Sequence, residues 1–305
     1  MNVGIFGSGF GLYGYMPAVL ALGHFPLMPV RYRDKLLSRH ELCQFDSSVS
    51  WVKDETELFG HSDALIVALQ PSLQVAVVRS SLAYPNIKRY LLEKPIGPTP
   101  TEAIELMQTL RVNGKNVQAG FNFRHTPWAQ SLHTVIHDTG SHDRLCINWA
   151  FKAHHLEHGL DTWKRDPNSG GGVLSFYGIH VVALLAEWGY IHVHDSLLRE
   201  LDQGQPVQWQ ATFSGPGLIT CQVNVDACSE SRIFQVTRLA RARNEELVCD
   251  LNDPFDQLPL VGEQDRRVAL SAKVLKTLLD DRAVTPKWID DSIYLWTACL
   301  GRGHS

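Results

Sequence analysis

A glycine-rich segment near the start of the chain has the composition of a phosphate-binding turn. Gly7-Ser8-Gly9-Phe10-Gly11-Leu12 follows a short apolar run and opens a helical pattern. Glycine there permits a tight turn, lets backbone N–H groups approach a pyrophosphate and places that group at a helix N-terminus. Leu12 occupies the place of the third expected glycine, so the pattern alone could be a plain turn. Its position between a strand and a helix favours a dinucleotide site.

Residues further along indicate which dinucleotide would bind. An acidic residue about 20 positions on normally holds the adenosine ribose of NAD. The sequence in that region reads Val30-Arg31-Tyr32-Arg33-Asp34. Arg31 and Arg33 suit a 2′-phosphate and favour NADP over NAD. In the alternative interpretation both arginines are surface charges and Asp34 holds the ribose.

The pattern of predicted elements changes once along the chain. Short apolar strands at residues 3–6, 64–69, 89–92 and 117–121 alternate with helical patterns at 16–22, 73–82 and 100–110. This alternation is typical of βαβ units and a parallel sheet. Beyond about residue 125, strands at 147–151, 207–213, 218–225, 232–237 and 246–251 predict an antiparallel sheet, and helices at 265–280 and 286–300 follow. We therefore predict two domains, 1–122 and 123–305.

Two further motifs contain side chains that carry charge or exchange protons. Glu93-Lys94-Pro95 follows the strand at 89–92, where a Lys-Pro pair is often only a turn. The second runs from Trp163 through Gly170-Gly171-Gly172 into an apolar helical segment that contains His180. A lone histidine on such a segment is usually a hydrogen-bonded core residue.

Together these motifs resemble the family of glucose–fructose oxidoreductase, inositol 2-dehydrogenase and rhizopine-catabolism proteins, the Gfo/Idh/MocA family. The resemblance covers most of the chain and includes Pro17 and Gly120-Phe121-Asn122. It implies an α/β fold, with an N-terminal Rossmann dinucleotide-binding domain and a C-terminal α/β domain containing a large, mostly antiparallel sheet. The open face of that sheet would form the contact of a homodimer or tetramer.

The resemblance also implies roles for individual residues. Lys94 would lie beside the nicotinamide and the substrate hydroxyl, where its charge stabilises a developing alkoxide. His180 would be the acid/base, since an ordinary histidine pKa of about 6.5 suits proton exchange near neutral pH. Trp163 and Arg165 would line a sugar pocket, and Arg124 is a further candidate beside the cofactor. The remaining predicted cofactor contacts are Leu69, Gln70, Pro71, Glu93, Lys94 and Asn122.

The sequence departs from the family pattern next to the predicted acid/base. Many members have an aspartate one helical turn before the histidine, but Phe176 stands there, and Ala183 replaces another frequent aspartate. Tyr177 lies three residues before His180 and would share its helix face. We therefore hypothesise that Tyr177 is the polar partner of His180 and a catalytic and substrate-binding residue. In the alternative, Tyr177 packs elsewhere and His180 acts alone.

Composition excludes several other classes of function. A net charge of -4 without basic blocks gives no reason to expect binding to nucleic acid or a membrane surface. The six cysteines are scattered, and His154, His155 and His158 have no nearby carboxylate or thiolate in the pattern, so no metal is predicted. No uninterrupted apolar run approaches the roughly 20 residues of a membrane helix, and we expect a cytoplasmic protein.

The sequence therefore predicts an NAD(P)-dependent oxidoreductase. It would transfer a hydride between nicotinamide and a carbinol or ketone of a sugar, nucleotide-sugar or polyol, with NADP slightly favoured. Loss of the aspartate at position 176 leaves open a non-catalytic dinucleotide-binding sensor or regulatory protein. An elimination or hydrolysis enzyme that recycles NAD is a third alternative.

Overall fold

The chain folds into two compact units. The computed structural model describes residues 1–137, 143–201, 204–239, 245–259, 262–280 and 284–301. The first unit contains Met1–Gly97, Ile104–Asn122 and Leu258–Pro286, and the second contains Pro98–Ala103, Phe123–Gln257 and Lys287–Ser305. A continuous division after residue 122 would assign residues 258–286 to the second domain, whereas in the structure they group with the first.

The first unit is built on a six-stranded sheet with the order β3-β2-β1-β4-β5-β6, in which neighbouring strands are parallel. Its strands are β1 (Asn2–Phe6), β2 (Phe25–Pro29), β3 (Ser50–Val52), β4 (Ala64–Val67), β5 (Arg89–Leu92) and β6 (Asn116–Ala119). Strand β4 is buried at every residue, as expected for a parallel strand that is covered on both faces. The strand order is that of a Rossmann fold, in which ligands bind at the carboxyl ends of the strands, where the order reverses.

Eleven α-helices lie within the described residues. They are α1 (Met16–Ala21), α2 (Arg33–Leu37), α3 (His40–Cys43), α4 (Glu55–His61), α5 (Pro71–Ser81), α6 (Pro100–Val112), α7 (Pro127–Val135), α8 (His154–Glu157), α9 (Ile179–Glu187), α10 (Val268–Leu279) and α11 (Lys287–Gly301). Helix α10 returns to the first unit, where its buried residues Val274, Leu275 and Leu278 join the same core as β1 and α1. Helices α9 and α11 pack together in the second unit.

The second unit contains another six-stranded sheet, with the order β12-β11-β7-β10-β9-β8. Its strands are β7 (Arg144–Lys152), β8 (His192–Leu201), β9 (Gln205–Ser214), β10 (Thr220–Asp226), β11 (Cys228–Leu239) and β12 (Glu245–Leu251). Neighbours are antiparallel except for the pair β7 and β10. The predicted α/β fold with one parallel and one mostly antiparallel sheet is therefore confirmed.

Three strands escaped the sequence analysis, each for a physical reason. Strand β2 contains Pro26 and Pro29, which lack the N–H that a sheet ladder uses and ordinarily argue against a strand. Strand β3 has only three residues, too few to show a period. Strand β8 lies at the edge of its sheet, and most of its side chains are exposed, so its apolar pattern is weak.

One helical stretch, Pro167–Glu187, is long and apolar enough by length and composition to cross a membrane. The sequence analysis found no such uninterrupted run because polar residues divide this stretch. Of its most apolar window, 83% is buried inside the protein, which is ordinary for a core helix of a soluble protein. Every residue from Ile179 to Ala186 is buried.

We predict that Gly178→Ala destabilises the protein. An added Cβ would lie 2.7 Å from the indole ring of Trp209, which is itself fully buried. Such overpacking typically costs about 1–3 kcal/mol, measurable as a lower urea midpoint. Gly60→Ala is the matched control, because Gly60 also lies in a helix but has open space around the Cβ position. Its midpoint should be unchanged or slightly higher, and equal losses in both variants would contradict the argument.

Candidate functional site

The glycine turn of the first unit lies directly against the segment that follows β4. Gly7 has φ +122°, a conformation that favours glycine, and a Cβ there would lie 2.2 Å from the carbonyl oxygen of Ala68. The turn therefore lies beside Leu69, Gln70 and Pro71, at the carboxyl end of β4. This is the position where the sheet order reverses, so these predicted cofactor residues are together.

The three glycines of the turn have different roles. A Cβ on Gly9 would meet nothing within 4 Å, so the loop is open there to an approaching group. A Cβ on Gly11 would lie 3.0 Å from the carbonyl oxygen of Phe6, so Gly11 allows the helix to pack closely on β1. The first helical turn, Gly11–Tyr15, is a π-helix, and Gly11 has the packing role expected of a third glycine. Leu12 is fully buried in the core.

Phe10 folds back onto its own helix. Its ring occupies the space that a Cβ on residue 14 would need, which Gly14 leaves free. The same ring packs edge-on against Tyr13 and Tyr15. The guanidinium of Arg267 lies 4.6 Å from the centre of the Phe10 ring. Arg267 is held by two hydrogen bonds to the carboxylate of Asp265. The ring of Phe10 is therefore held by packing within the first unit, and the predicted contact of Phe10 with the cofactor stays a prediction.

The Glu93-Lys94-Pro95 turn is fixed by one buried carboxamide. Gln74 of α5 donates to the carbonyl oxygens of Glu93, Pro95 and Ile96, and its own oxygen accepts from the backbone N–H of Glu93. Gln74 is fully buried, so these bonds form away from competing water. The backbone that presents Lys94 at the end of β5 is thereby held from several sides. Sequence reasoning missed Gln74, since a helical glutamine is ordinarily a surface residue.

The carboxylate of Glu93 points into the protein rather than to solvent. It accepts a 2.5 Å hydrogen bond from the hydroxyl of Tyr15. Burial raises the pKa of Glu93, while the charge of Lys94 and the bond from Tyr15 oppose that rise. A Cβ at Gly120 would lie 2.5 Å from the Glu93 carboxylate and 2.6 Å from the Tyr15 hydroxyl. Gly120 is therefore the residue that leaves room for this pair at the end of β6.

Asn122 follows Gly120 and is buried at 3% exposure. Its side-chain oxygen has no hydrogen-bond partner among the described residues. A buried amide oxygen without a donor is costly, so this atom is a candidate acceptor for a bound polar group. Asn122 therefore fits the predicted cofactor site.

The two arginines after β2 already have acidic partners. Arg33 makes two 2.8 Å hydrogen bonds to Asp46, and Arg31 lies 3.3 Å from Glu55. Lys35 instead extends toward the glycine turn, with its ammonium 3.4 Å from the Ser8 hydroxyl. Lys35 is a cation next to the turn that the sequence analysis did not select.

In the second unit, the glycine run brings the 163–165 turn onto the start of the buried helical segment. Gly170 and Gly172 have φ values of +83° and +79°. A Cβ on Gly171 would lie 2.4 Å from the carbonyl oxygen of Trp163. The close approach of two backbones explains why glycine is needed here. Trp163 and Lys164 are thereby fixed above the π-helical turn Val173–Gly178.

Aromatic rings surround the side chains at this turn. The ring of Phe176 contacts the ring of Trp163 edge-on, with 5.4 Å between the ring centres. It also contacts the ring of Tyr177 edge-on, with 4.8 Å between the ring centres. The Lys164 ammonium lies 5.1 Å from the centre of the Phe176 ring. Arg165 points elsewhere, and its Nε donates to the Gln205 side chain at 3.0 Å. Of the residues predicted for the sugar pocket, Trp163 and Tyr177 therefore share one cluster.

His180 is buried on α9 at 8% exposure, with its ring stacked on Phe123 at 4.8 Å between ring centres. Arg124, a predicted neighbour of the cofactor, is bound to both carboxylate oxygens of Glu187 and stacked on Trp288. Its guanidinium therefore stabilises the second unit. His180 belongs to the second unit and Lys94 to the first.

Tyr177 directs its hydroxyl to His155, 3.5 Å from the ring Nδ1. Its ring also packs against Phe151 at 4.7 Å. Burial raises the pKa of Tyr177, so the hydroxyl keeps its proton. The role of Tyr177 as the partner of His180 stays a prediction, and His155 is a neighbour that the sequence analysis did not foresee.

The histidine cluster after β7 does include a carboxylate. His154, Glu157 and His158 offer ligand atoms that all lie within 4.8 Å of one another. The sequence analysis was wrong that no carboxylate is near, because one helical turn brings Glu157 beside both histidines. All three side chains are exposed, and we do not assign a resident metal to them.

We predict that His155→Gln reduces the acid sensitivity of the fold. Burial, with the charges of Lys164 and Arg165, lowers the pKa of His155 from 6.5 to about 4. Between these values the unfolded chain binds a proton that the folded chain does not, so stability falls as the pH drops through this window and returns as it rises. The fall in Tm from neutral pH to mid-window should be smaller in the variant. Exposed His158→Gln is the control, and equal behaviour of the two variants would refute the argument.

Comparison with known proteins agrees with this geometry. Residues 1–121 match the sequence model of an oxidoreductase family with an NAD-binding Rossmann fold. A comparison with curated protein sequences finds no match.

Solved dehydrogenases share the fold of nearly the whole chain. A myo-inositol dehydrogenase from Corynebacterium glutamicum has a TM-score of 0.72 at 14% identity, covering 99% of this chain and 96% of that one. GenD2 from gentamicin A biosynthesis, in complex with NAD, has a TM-score of 0.70 at 17% identity, covering 99% of this chain and 93% of that one. A levoglucosan dehydrogenase in complex with NADH and levoglucosan has a TM-score of 0.72 at 13% identity, covering 99% of this chain and 96% of that one. Residues 1–121 thus match the Gfo/Idh/MocA model of an oxidoreductase family with an NAD-binding Rossmann fold, and the chain as a whole shares the fold of these solved structures.

Proposed function

We propose that the protein is an NAD(P)-dependent oxidoreductase that acts on a carbinol or ketone of a sugar, nucleotide-sugar or polyol. The observation that carries this proposal is the fixed Lys94 turn at the carboxyl end of the Rossmann sheet, within residues 1–121 that match an NAD-binding oxidoreductase family. Named dehydrogenases with the same fold act on myo-inositol and levoglucosan, which supports this substrate class. Retention of both Lys94 and His180 gives no support to a non-catalytic sensor.

The residues of the first unit fit a dinucleotide. Gly9 leaves open space over the turn, and the buried oxygen of Asn122 is suited to accept a hydrogen bond from a bound amide. Arg31 and Lys35 supply positive charge near the end of β2 and beside Ser8, which favours NADP over NAD. When bound, the nicotinamide would supply the hydride acceptor or donor.

The chain's own residues would handle charge and proton. The Lys94 ammonium would stabilise the negative charge that develops on the substrate oxygen. His180 would hold or release the hydroxyl proton, with its imidazole plane fixed by stacking on Phe123. The buried Glu93 carboxylate lies next to Lys94 along the chain, and the charge of Lys94 opposes the rise in the pKa of Glu93 that burial causes.

We also propose a cytoplasmic homodimer or tetramer that associates through the second sheet. One face of this sheet is buried in its own unit. The opposite face is rich in amide side chains that are exposed or half-buried: Asn148, Gln210, Gln222, Asn224 and Gln235. An open sheet face of this kind can pack against the same face of a second copy in a two-fold symmetric contact.

We expect Lys94→Met and His180→Asn each to lower kcat by roughly 100-fold or more, since positioned charge and acid–base groups contribute at least that much. The change in nicotinamide absorbance with a panel of sugars and polyols measures this, and calorimetry should show that NADP still binds. Lys88→Met is the matched control, because Lys88 precedes the same strand at its other end and is exposed. Wild-type protein that binds NADP but transfers no hydride to any panel member would refute the function.

Lys35→Ala should weaken NADP binding about ten-fold while leaving the Kd of NAD nearly unchanged, because a hydrogen bond to a charged group contributes roughly 1.5–3 kcal/mol. Isothermal titration with each dinucleotide gives the two constants. Lys53→Ala is the control, an exposed lysine of the same unit. An equal loss of affinity for NADP and for NAD would show that Lys35 does not bind the 2′-phosphate.

A further inference from the structure

Lys164 has an unusual environment for a lysine. Its side chain is half-buried, and its ammonium faces the ring of Phe176 at 5.1 Å. Within the part of the chain that the structure describes, no carboxylate lies within ion-pair distance of this ammonium. A partly desolvated charge with only an aromatic partner is costly, so natural proteins usually supply it with a counter-charge.

The groups around Lys164 cannot supply that counter-charge. Trp163 and Phe176 are apolar, and the nearby imidazole of His155 is neutral at physiological pH because its pKa is about 4. Burial lowers the pKa of Lys164 itself, which is the expected sign of a desolvated and uncompensated ammonium. The chain therefore holds a cation ready for an external anion.

Arg165 differs from Lys164 although it is the next residue. Its guanidinium borders a cavity of about 620 Å³ that is also lined by three carboxylates. These carboxylates are Asp161, Asp166 and Glu200. Their negative field offsets the charge of Arg165 and disfavours a dianion such as a phosphate ester near the turn. One uncompensated charge, on Lys164, matches a singly charged group.

We propose that Lys164 binds the carboxylate of the substrate, so that the protein acts on a sugar acid, an aldonate or uronate, rather than on a neutral sugar. This inference rests on the proposed function for the reaction but on Lys164 for the substrate class. Phe176 is the specificity-determining neighbour, because an apolar ring at that position leaves the ammonium to the ligand. The aromatic surface of Trp163 and Phe176 excludes water around the ion pair, which strengthens it.

Binding of matched probes to the full chain, saturated with NADP, tests this assignment. D-glucuronate and D-glucuronamide differ by one charge at the same position, and D-glucose has neither group. By calorimetry at low ionic strength, glucuronate should bind at least about ten-fold more tightly than the amide, from one charge-assisted contact. Equal affinities, or no binding of either probe by folded protein, overturn the inference. Tighter binding of glucose 6-phosphate than of glucuronate would also overturn it, since a dianion is then preferred.

Variants separate the charge of Lys164 from its packing. Lys164→Met should abolish the preference for glucuronate, and Lys164→Arg should retain most of it. Lys152→Met should leave the preference intact, because Lys152 is an exposed lysine of the same unit that pairs with Glu230. Phe176→Asp should weaken glucuronate binding by supplying an internal counter-charge, which gives a second test if Lys164→Met fails to fold. An unchanged preference in folded Lys164→Met or Phe176→Asp contradicts the proposal.

The experiments can contradict the assignment of Lys164 and the proposed function independently of each other. If glucuronate is preferred but no sugar acid changes the nicotinamide absorbance, the proposed function is wrong and the anion site stands. If neutral sugars are oxidised or reduced while acids are neither bound nor turned over, the function stands and the Lys164 assignment is wrong.

Discussion

The four hydrogen bonds between Gln74 and the turn at residues 93–96 are the constraint on which the first unit's chemistry depends. A turn at the end of a strand is ordinarily free to move, and a lysine on it would sample many positions. Here a side chain from α5, the helix that precedes β5 in the chain, substitutes for the missing sheet partners of that backbone. The backbone on both sides of Lys94 is therefore held by hydrogen bonds, which favours a fixed position for its charge.

In the second unit, glycines rather than side-chain hydrogen bonds fix the position of the turn, because the absence of a side chain allows two backbone segments to lie in contact. Gly171 allows the 163–165 backbone to lie directly on the start of the buried helical segment, and the neighbouring glycines adopt left-handed conformations. Trp163 and Lys164 consequently project from a rigid support rather than from a loose loop. Both units thus hold their candidate functional side chains on irregular backbone that is fixed by close contacts.

Sequence patterns were sufficient for the sheet types and for the location of the two motifs, because periodicity and glycine spacing depend on local structure. They were insufficient for Gln74, Lys35 and Lys164, whose importance depends on what lies opposite each side chain. Leu12 illustrates the same limit. The fingerprint expects a glycine at position 12, but in the structure Leu12 is buried in the core and Gly11 makes the close approach to the end of β1. His155 and Glu157 were likewise recognisable only once α8 placed them.

The return of residues 258–286 to the first unit has a consequence for how the chain acquires its structure. Five residues of α10, from Val268 to Leu279, complete the same apolar core as β1 and α1. During synthesis the Rossmann sheet therefore emerges from the ribosome long before its last core helix. Until that helix arrives, an apolar surface stays uncovered, and the nascent sheet is a natural client for chaperones that bind exposed hydrophobic segments.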